Sequence, residues 1–366
     1  MKIECVTEKL REVVQKVEKI SQKNPNLPIL SCILLEAQKN TLTLKTTNLD
    51  LGIEFSIPVK VHTEGSVAVT AGVFSQFLGS IANEKNVTIS KEENILHLET
   101  LKSKTTIKTF PIEDFPIIPR VEEGKEFEID VRHFVQGLKA VSYAASISSI
   151  KPELSSVYVF GDNDGIVCVA TDSFRLAEKK VKHKNASDMP PLLIPNKNVG
   201  EIIRVLDGIS DDVTLTASKN QIVFTSPSLY LTSRVVEGNF PDYKQIIPKE
   251  FTTNIVVLKG DLVNALKVTN VFVDTFNQVR FSIAPKAKKL ELTAKNGDVG
   301  ENTFSLPGVL EGADISVGFN YRYITDCFQA IDSDSFSLEF AGVNRPLVIK
   351  GVSDNSFTYL VMPMNR

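Results

Sequence analysis

The chain has 366 residues, of which 42% are hydrophobic and 23% are charged. At about 150 residues per domain, this length predicts two or three domains that are each large enough to bury a core. The formal net charge is −3, from 41 Lys and Arg residues against 44 Asp and Glu residues. The composition excludes a wholly disordered chain, and it excludes a protein that binds nucleic acid through a large positive net charge.

The amino-terminal segment becomes amphipathic and charged within its first eight residues, and no run of 18 apolar residues occurs. These features favour a cytoplasmic protein. The four cysteines lie far apart without a Cys-x-x-Cys pair. This spacing predicts buried free thiols, with neither a zinc site nor a disulfide framework.

The predicted elements repeat three times along the chain, at a period close to 124 residues. Each copy opens with an amphipathic helix, whose apolar residues recur with the helical period and bury one face. The three opening stripes are Leu10, Val13, Val14 and Val17, then Phe134, Leu138 and Val141, then Leu262, Leu266 and Thr269.

A strand with alternating apolar residues follows in each copy, at 42–52, 166–177 and 290–300. Each of these strands ends at a polar corner. The corner residues are Asn48, Asp172 and Asn296, spaced 124 residues apart. We interpret them as turn formers, whose side chains accept hydrogen bonds from their own backbone.

Further along each copy, a short strand runs into a second helix, and the copies of this pair are 125 residues apart. Their apolar positions coincide at i, i+3, i+4 and i+7, the spacing of one buried helix face. The three stripes are Phe74, Phe77, Leu78 and Ile81, then Val199, Ile202, Ile203 and Leu206, then Ile324, Cys327, Phe328 and Ile331.

Two Pro-rich crossings, near 110–126 and 239–250, separate the copies. They place the predicted domains at 1–122, 123–249 and 250–366. Each module contains two helices packed on antiparallel strands, so the predicted fold class is α+β.

The sequence offers little catalytic chemistry. It has no nucleophile elbow, no phosphate-binding loop and no metalloprotease motif, and its four histidines match no metal spacing. The acidic segment at 161–165 is predicted to be a hairpin turn. We therefore expect no catalytic residue, no metal and no cofactor. Repetition without a shared catalytic group is typical of a scaffold.

Three segments carry a resemblance that extends over essentially the whole chain. They are VATDSFRLA at 169–177, VVEGNFPDYKQIIP at 235–248 and YLVMPMNR at 359–366. Together with the triplication, they resemble the bacterial DNA polymerase III beta subunit family, the sliding clamps.

The resemblance implies three repeated clamp-type modules that form a half ring, and a head-to-tail homodimer that encircles double-stranded DNA without sequence preference. Such a ring tethers the replicative polymerase and other replication and repair proteins, confers processivity, and is opened by a separate clamp loader. It implies a cytoplasmic, nucleoid-associated protein. Twelve helices of about 10 Å diameter, set side by side in a circle, leave about 28 Å of clear space, which accommodates a duplex.

Within such a ring, basic residues on the polar helix faces are expected to meet phosphates without reading bases. In many clamps a basic residue precedes the Pro-x-Leu-Pro segment, where this chain has Asn24 beside Lys23. The expected DNA-facing residues are Lys16, Lys19, Lys23, Arg132, Lys139, Lys197, Arg204, Lys267 and Arg322.

The resemblance also implies an apolar groove that binds partner peptides between the second and third modules. Phe174, Ser173 and Gln245 differ from residues common in other clamps, so the peptide preference is expected to differ. The implied groove residues are Leu154, Thr171, Ser173, Phe174, Arg175, Leu176, Pro241, Ile246, Asn320, Tyr323, Pro346, Leu360, Met362, Pro363 and Met364.

Ring closure requires an interface between copies. Val271 falls on the polar side of the third module's opening helix and is followed by Phe272, an apolar pair with no obvious role within its module. By resemblance, this pair is expected to meet the strand around Ile107 of the other copy. Strand joining there would cover two exposed sheet edges.

Two other readings remain open on the sequence alone. One is a hydrolase or transferase that uses the corner residues Asn48, Asp172 and Asn296 as a polar site. The other is a monomeric interaction scaffold that never meets DNA.

Overall fold

The computed structural model describes residues 1–24, 26–121, 123–184, 186–209 and 212–364. They form two compact units. Unit 1 comprises Met1–Arg132 and Lys197–Val235, and unit 2 comprises His133–Asn196 and Val236–Arg366. The chain passes between the units within the predicted central module, and the three module boundaries stay a prediction.

Six α-helices occur among the described residues. They are α1 Thr7–Glu18, α2 Ala71–Ser80, α3 Val131–Val141, α4 Asn196–Leu206, α5 Lys259–Thr269 and α6 Tyr321–Asp326. Short 3-10 turns lie at Pro28–Ser31, Ser142–Ala144, Tyr243–Ile246, Asn270–Phe272, Pro285–Ala287 and Cys327–Gln329. Helices therefore recur at both predicted places in each copy, and that prediction is confirmed.

The strands of the first part of the chain are β1 Lys2–Val6, β2 Cys32–Gln38, β3 Thr41–Thr47, β4 Leu51–Pro58, β5 Lys60–Thr63, β6 Gly65–Thr70, β7 Asn86–Glu92, β8 Ile95–Glu99 and β9 Lys104–Phe110. Next come β10 Lys125–Ile129, β11 Ser156–Asp162, β12 Gly165–Thr171, β13 Arg175–Lys182, β14 Leu192–Pro195, β15 Val213–Ala217, β16 Gln221–Ser226 and β17 Leu229–Arg234. The last are β18 Thr253–Leu258, β19 Gln278–Ala284, β20 Lys289–Asn296, β21 Gly300–Ser305, β22 Val309–Gly312, β23 Ile315–Asn320, β24 Ser335–Phe340, β25 Leu347–Gly351 and β26 Asp354–Val361.

Unit 1 is organised around one sheet in the order β10-β15-β16-β17-β4-β3-β2-β6-β9-β8-β7-β1-β5. Every recorded strand pair in it is antiparallel. Strand β17 pairs with β4 from Leu229 opposite Phe55 to Ser233 opposite Leu51. We call this pair the first seam, because it joins strands of the first and central predicted modules.

Unit 2 has a sheet in the order β14-β11-β12-β13-β26-β25-β24-β18-β22 and a smaller sheet in the order β21-β20-β19-β23. Strand β13 pairs with β26 from Arg175 opposite Val361 to Lys179 opposite Phe357. We call this pair the second seam. Strands β4 and β13 begin 124 residues apart, so the two seams occupy equivalent places in the repeat.

The helices bury the predicted apolar stripes. Leu10 and Val17 of α1 and Phe74 and Leu78 of α2 have no exposed surface, and Val199 and Ile324 are equally buried in the later copies. All four cysteines are buried and free, as predicted. Burial raises the pKa of the Cys168 thiol to about 12, so it stays protonated near neutral pH.

The polar corners are turns closed by their own backbone. Asn48 Oδ1 accepts hydrogen bonds from the backbone N–H groups two and three residues on, at 3.1 and 2.8 Å. Asp172 Oδ1 does the same at 2.9 Å each, and Asn296 Oδ1 accepts one at 3.0 Å. The turn-former prediction is confirmed, which removes the reason to read these residues as a catalytic polar site.

An ion pair crosses the second seam between Lys179 Nζ and Asp354 Oδ2, 3.1 Å apart, with both side chains nearly buried. Burial acts to raise the pKa of Asp354. Hydrogen bonds from Ser356 and Lys179 outweigh burial and hold this pKa below its usual value. The carboxylate therefore stabilises the fold above the unfolded-state pKa of about 4, and this contribution is lost as the pH falls below that value.

We predict that Asp354→Asn lowers the free energy of unfolding by about 1–3 kcal/mol at neutral pH, because Lys179 loses its charged partner. Urea unfolding at a series of pH values should show the difference from the wild type shrinking as the pH falls through about 4. Glu4→Gln, which alters the exposed contact with Lys60, is the control and should have little effect. A difference that stays constant with pH would contradict the prediction.

Candidate functional site

The predicted groove residues all lie in unit 2, around the second seam. Thr171, Leu176, Leu360 and Val348 stand opposite one another in a single row across four neighbouring strands. Thr171 is 6% exposed, and Leu176 and Leu360 are 1% and 2% exposed. These side chains therefore form the floor of the candidate groove.

Sequence reasoning missed part of this floor. Val348 and Tyr243 pack in one cluster with Leu176, Leu360, Val167 and Val169. Tyr243 comes from the crossing between the predicted modules, and its hydroxyl donates a hydrogen bond of 2.6 Å to the buried Glu178. The repeat held a signal, because Tyr243 follows a Phe-Pro pair at the same distance as Ile118 does in the first crossing.

The rim of the candidate groove is exposed and apolar. Phe174 is 60% exposed, Ile246 is 49% exposed and Met362 is 38% exposed. Pro241 is exposed and Pro363 half-buried. An exposed apolar rim above a buried apolar floor suits the docking of an apolar peptide segment.

The turn at Asp172 sets the position of Phe174. Ser173 has a φ of 76°, in the left-handed region. The Asp172 carboxylate accepts hydrogen bonds from the backbone N–H groups of Phe174 and Arg175. The Phe174 carbonyl then accepts a hydrogen bond of 2.8 Å from the Met362 N–H. The Phe174 ring stacks on Tyr323 with centroids 6.5 Å apart. The rim therefore combines residues from both sides of the second seam.

The Arg175 side chain is held by contacts within unit 2. It is only 11% exposed and forms ion pairs with Asp172 and Asp326. One terminal nitrogen also donates to the Tyr143 carbonyl at 2.8 Å, and the guanidinium lies 4.6 Å from the Tyr323 ring centroid. Arg175 thus ties the groove turn to α6 and to the 3-10 turn after α3.

The remaining predicted groove residues, also in unit 2, differ in their hydrogen bonds and burial. Asn320 caps α6, since its Oδ1 accepts the N–H groups of Arg322 and Tyr323. The Met364 N–H donates to the Gly318 carbonyl at 2.9 Å. Leu154 is 8% exposed, and Pro346 is half-buried directly before β25.

The first seam occupies the equivalent place in unit 1, but side chains of the first crossing cover its surface. Gly52 stands where the second seam has Leu176, and a Cβ added there would lie 2.8 Å from Ile118 Cγ2. Arg120 of the same crossing lies 3.9 Å from the Tyr230 ring centroid and pairs with Glu54 at 2.5 Å. The first crossing is therefore packed directly onto its seam.

Two of the predicted DNA-facing residues in unit 1 hold helix ends together. Lys16 Nζ of α1 lies 3.5 and 3.4 Å from the carbonyl oxygens of Val205 and Asp207, at the end of α4. Arg204 of α4 makes the corresponding contact at the end of α1, where it donates hydrogen bonds to the carbonyls of Gln15 and Lys16 at 2.9 and 2.6 Å. Cations at helix carboxyl ends satisfy otherwise unpaired carbonyls. Sequence reasoning gave no sign of this reciprocal contact.

The other basic residues are more accessible. Lys197 Nζ pairs with Asp50 at 2.5 Å, but its side chain is still 68% exposed. Arg132 is 88% exposed at its side chain. Lys19 and Lys23 in unit 1 and Lys139, Lys267 and Arg322 in unit 2 are also exposed.

The residues expected at the interface between copies have different exposures. Val271 is 64% exposed and Phe272 is half-buried, whereas Ile107 is 7% exposed and lies in the core of unit 1. In the strand around Ile107, the exposed side chains are those of Lys104, Thr106 and Lys108. Within the described residues, β9 pairs with β8 along Lys104–Lys108, and pairs with β6 only at Thr109 and Phe110.

Two further observations concern metal sites and membrane-spanning helices. Over the part of the chain that the structure describes, no group of three or more His, Cys, Asp or Glu residues is placed to hold a metal ion. Within the same residues, no helix is both long and apolar enough to cross a bilayer.

Three consecutive segments of the chain match models of the DNA polymerase III beta subunit family. Residues 1–119 match the N-terminal domain, residues 128–242 the central domain and residues 244–365 the C-terminal domain. The beta sliding clamp of Synechococcus elongatus is 27% identical over 373 residues, covering 100% of this chain and 99% of the relative. That of Synechocystis sp. is 28% identical over 388 residues, with the same coverage.

Solved structures show the same fold. The sliding clamp from Pseudomonas aeruginosa bound to griselimycin superposes with a TM-score of 0.95 at 22% identity, covering 100% of both chains. The DNA polymerase III beta subunit from Thermotoga maritima gives a TM-score of 0.92 at 24% identity, covering 100% of this chain and 99% of that one.

Three clamp domains of mixed helix and antiparallel sheet define a sliding clamp, a non-catalytic processivity factor of a DNA polymerase. This chain belongs to the DNA polymerase III beta subunit family.

The contacts of Arg175 lead to a prediction for the groove turn. Arg175→Lys keeps the charge but loses the planar fork that reaches three acceptors, so the free energy of unfolding should fall by about 1–3 kcal/mol. Urea unfolding of the purified variant measures this change. Arg322→Lys, at an exposed position, is the matched control and should remain within about 0.5 kcal/mol of the wild type. Equal stabilities for both variants would show that Arg175 does not brace the turn.

Proposed function

We propose that two copies of this chain close head to tail into a ring that encircles duplex DNA. We further propose that the groove at the second seam tethers the replicative polymerase, the clamp loader and other replication and repair proteins. Membership in the sliding clamp family supports both proposals. The observation that carries the tethering role is the groove itself, a buried apolar floor with an exposed apolar rim.

Exposed strand edges support ring closure. The edge of β9 along Lys104–Lys108 lies in unit 1, and β21 in unit 2 pairs only with β20 among the described strands. Lys104 and Lys108 are exposed on the first strand, and Glu301 is exposed on the second. Joining β9 of one copy to β21 of the other would pair both edges and bring opposite charges together. Two such joints close a ring.

The proposed hold on DNA is topological. The exposed cations Lys19, Lys23, Arg132, Lys139 and Lys267 suit transient contacts with phosphates, which carry no sequence information. We assign Lys16 and Arg204 a smaller share, because both already bind helix carbonyls. With a net charge of −3, the chain as a whole gains little from electrostatic attraction to DNA.

The topological hold is tested with nicked circular DNA loaded by a clamp loader and then cut once. The wild-type protein should stay on the circle through gel filtration and leave after linearisation, because a threaded ring slides off a free end. Uncut circles carried through the same steps are the control. Equal retention on cut and uncut DNA would contradict encirclement.

The groove is tested with a fluorescein-labelled peptide in which a central Leu-Phe pair is flanked by serines, hereafter the Leu-Phe probe. Removal of the chain from Met362 onward deletes part of the rim but leaves β26 intact. Affinity for the probe, measured by fluorescence anisotropy, should fall more than about tenfold, as expected when apolar anchors lose their pocket.

The matched control for the groove test is Ile117→Ser, which removes a side chain 93% exposed in unit 1. It should bind the Leu-Phe probe as the wild type does. Thermal unfolding of both proteins checks that the truncated chain is folded. Unchanged probe affinity in a folded truncated protein would place the peptide site elsewhere.

A further inference from the structure

Unit 2 contains a polar cavity of about 800 Å³ between the ends of two helices. Its wall comes from the second half of α3 and the 3-10 turn after it, from the end of α6 and the residues that follow, and from the first residue of α5. The volume falls within the range of small-molecule sites, about 300–1,000 Å³. The cavity is therefore large enough to hold a small ligand.

The repeat identifies the corresponding place in unit 1. The apolar stripe of α3 follows that of α1 by 124 residues, and the stripe of α6 follows that of α4 by 125 residues. With these offsets, Ala140 corresponds to Lys16. Gln329 corresponds to Arg204 in the same way, and both Ala140 and Gln329 line the cavity. The cavity of unit 2 therefore lies where two cationic side chains join the helix ends of unit 1.

The carbonyl acceptors of Arg204 also have counterparts in the cavity wall. Arg204 donates hydrogen bonds to the carbonyls of Gln15 and Lys16, near the end of α1. Lys139 and Ala140 hold the corresponding positions near the end of α3, and both line the cavity. A carbonyl oxygen has two lone pairs, so it can accept a hydrogen bond from a ligand besides that of its own helix. The negative end of the α3 dipole also favours a cation there.

A carboxylate recurs beside these carbonyls. Glu201 accepts a hydrogen bond of 2.9 Å from Arg204 Nε in unit 1, and Asp326 is the residue 125 positions on. Asp326 lines the cavity and already accepts a hydrogen bond from Arg175, which also donates to the Tyr143 carbonyl. Its two oxygens offer about four lone-pair positions, so Asp326 can accept from a second guanidinium.

Two lysines of the cavity wall also carry positive charge. Lys259 Nζ donates to the Ile331 carbonyl at 2.8 Å, so this ammonium group is already bound beyond the end of α6. Lys139 is exposed and stands where unit 1 has Gln15. Neither lysine holds the position of Arg204, because the neutral and exposed Gln329 stands there.

We propose that this cavity binds a small molecule with a guanidinium group, which takes the place that the Arg204 side chain has in unit 1. The guanidinium donates to the Asp326 carboxylate and to the carbonyls of Lys139 and Ala140. A guanidinium fits these acceptors better than an ammonium group, because it presents five N–H donors in a planar fork. The proposal concerns a site separate from the peptide groove and does not rest on it.

Agmatine, a butylamine with a terminal guanidinium, is the probe for this site. N-(4-aminobutyl)urea is its matched control, since it keeps the ammonium group and replaces the guanidinium by a neutral group of similar shape. Isothermal titration calorimetry of the purified protein at low salt measures both affinities. The wild type should bind agmatine at least about tenfold more tightly than the urea compound, as expected when hydrogen bonds lose their charged donor.

Variants of the cavity wall locate the binding. Gln329→Arg supplies a guanidinium from the chain itself and should abolish agmatine binding. Gln329→Ala removes the same exposed side chain without adding a charge, and should keep the wild-type affinity. Lys139→Gln restores the residue type of Gln15 and should bind agmatine at least as tightly as the wild type. Thermal unfolding checks that each variant is folded.

Four results would each overturn the inference. They are an absence of agmatine binding to the wild type, equal affinities for agmatine and the urea compound, undiminished binding by folded Gln329→Arg, and weaker binding by folded Gln329→Ala or Lys139→Gln. The Leu-Phe probe measures the groove separately, so these results leave the proposed function standing.

Discussion

Antiparallel pairing between strands of successive modules holds each unit of this chain together. Strand β17 continues the sheet through β4, and β13 continues the other through β26. Each seam uses backbone hydrogen bonds, which depend little on side-chain identity and remove two exposed edges at once. A chain with three modules has only two internal seams. We infer that the third seam forms between copies, through the edges of β9 and β21.

The two internal seams have the same backbone and different surfaces. In unit 1, Gly52 lets Ile118 pack directly on the strand, and Arg120 covers Tyr230. In unit 2, Leu176 and Tyr243 take the equivalent places, and the floor is bordered by an exposed apolar rim. A few side chains therefore decide whether a repeated joint is sealed or becomes a candidate binding groove.

Periodicity predicted the helices and the polar corners, because these depend on local spacing and on repeats visible in one chain. The groove residues came from the family resemblance alone. Long-range burial was harder to predict. Arg175 carries a charge, yet its ion pairs with Asp172 and Asp326 leave its side chain only 11% exposed. Ile107 lies in an alternating strand, and only the fold shows which face is buried. The reciprocal contacts of Lys16 and Arg204 depend on two helix ends that are distant in sequence.

Ring closure by strand edges can be seen in cryo-electron microscopy images of the purified protein. We expect class averages of a closed annulus with six lobes and a central hole of about 28 Å, wide enough for a duplex. Open arcs of single chains, or paired chains without a passage through the middle, would contradict it.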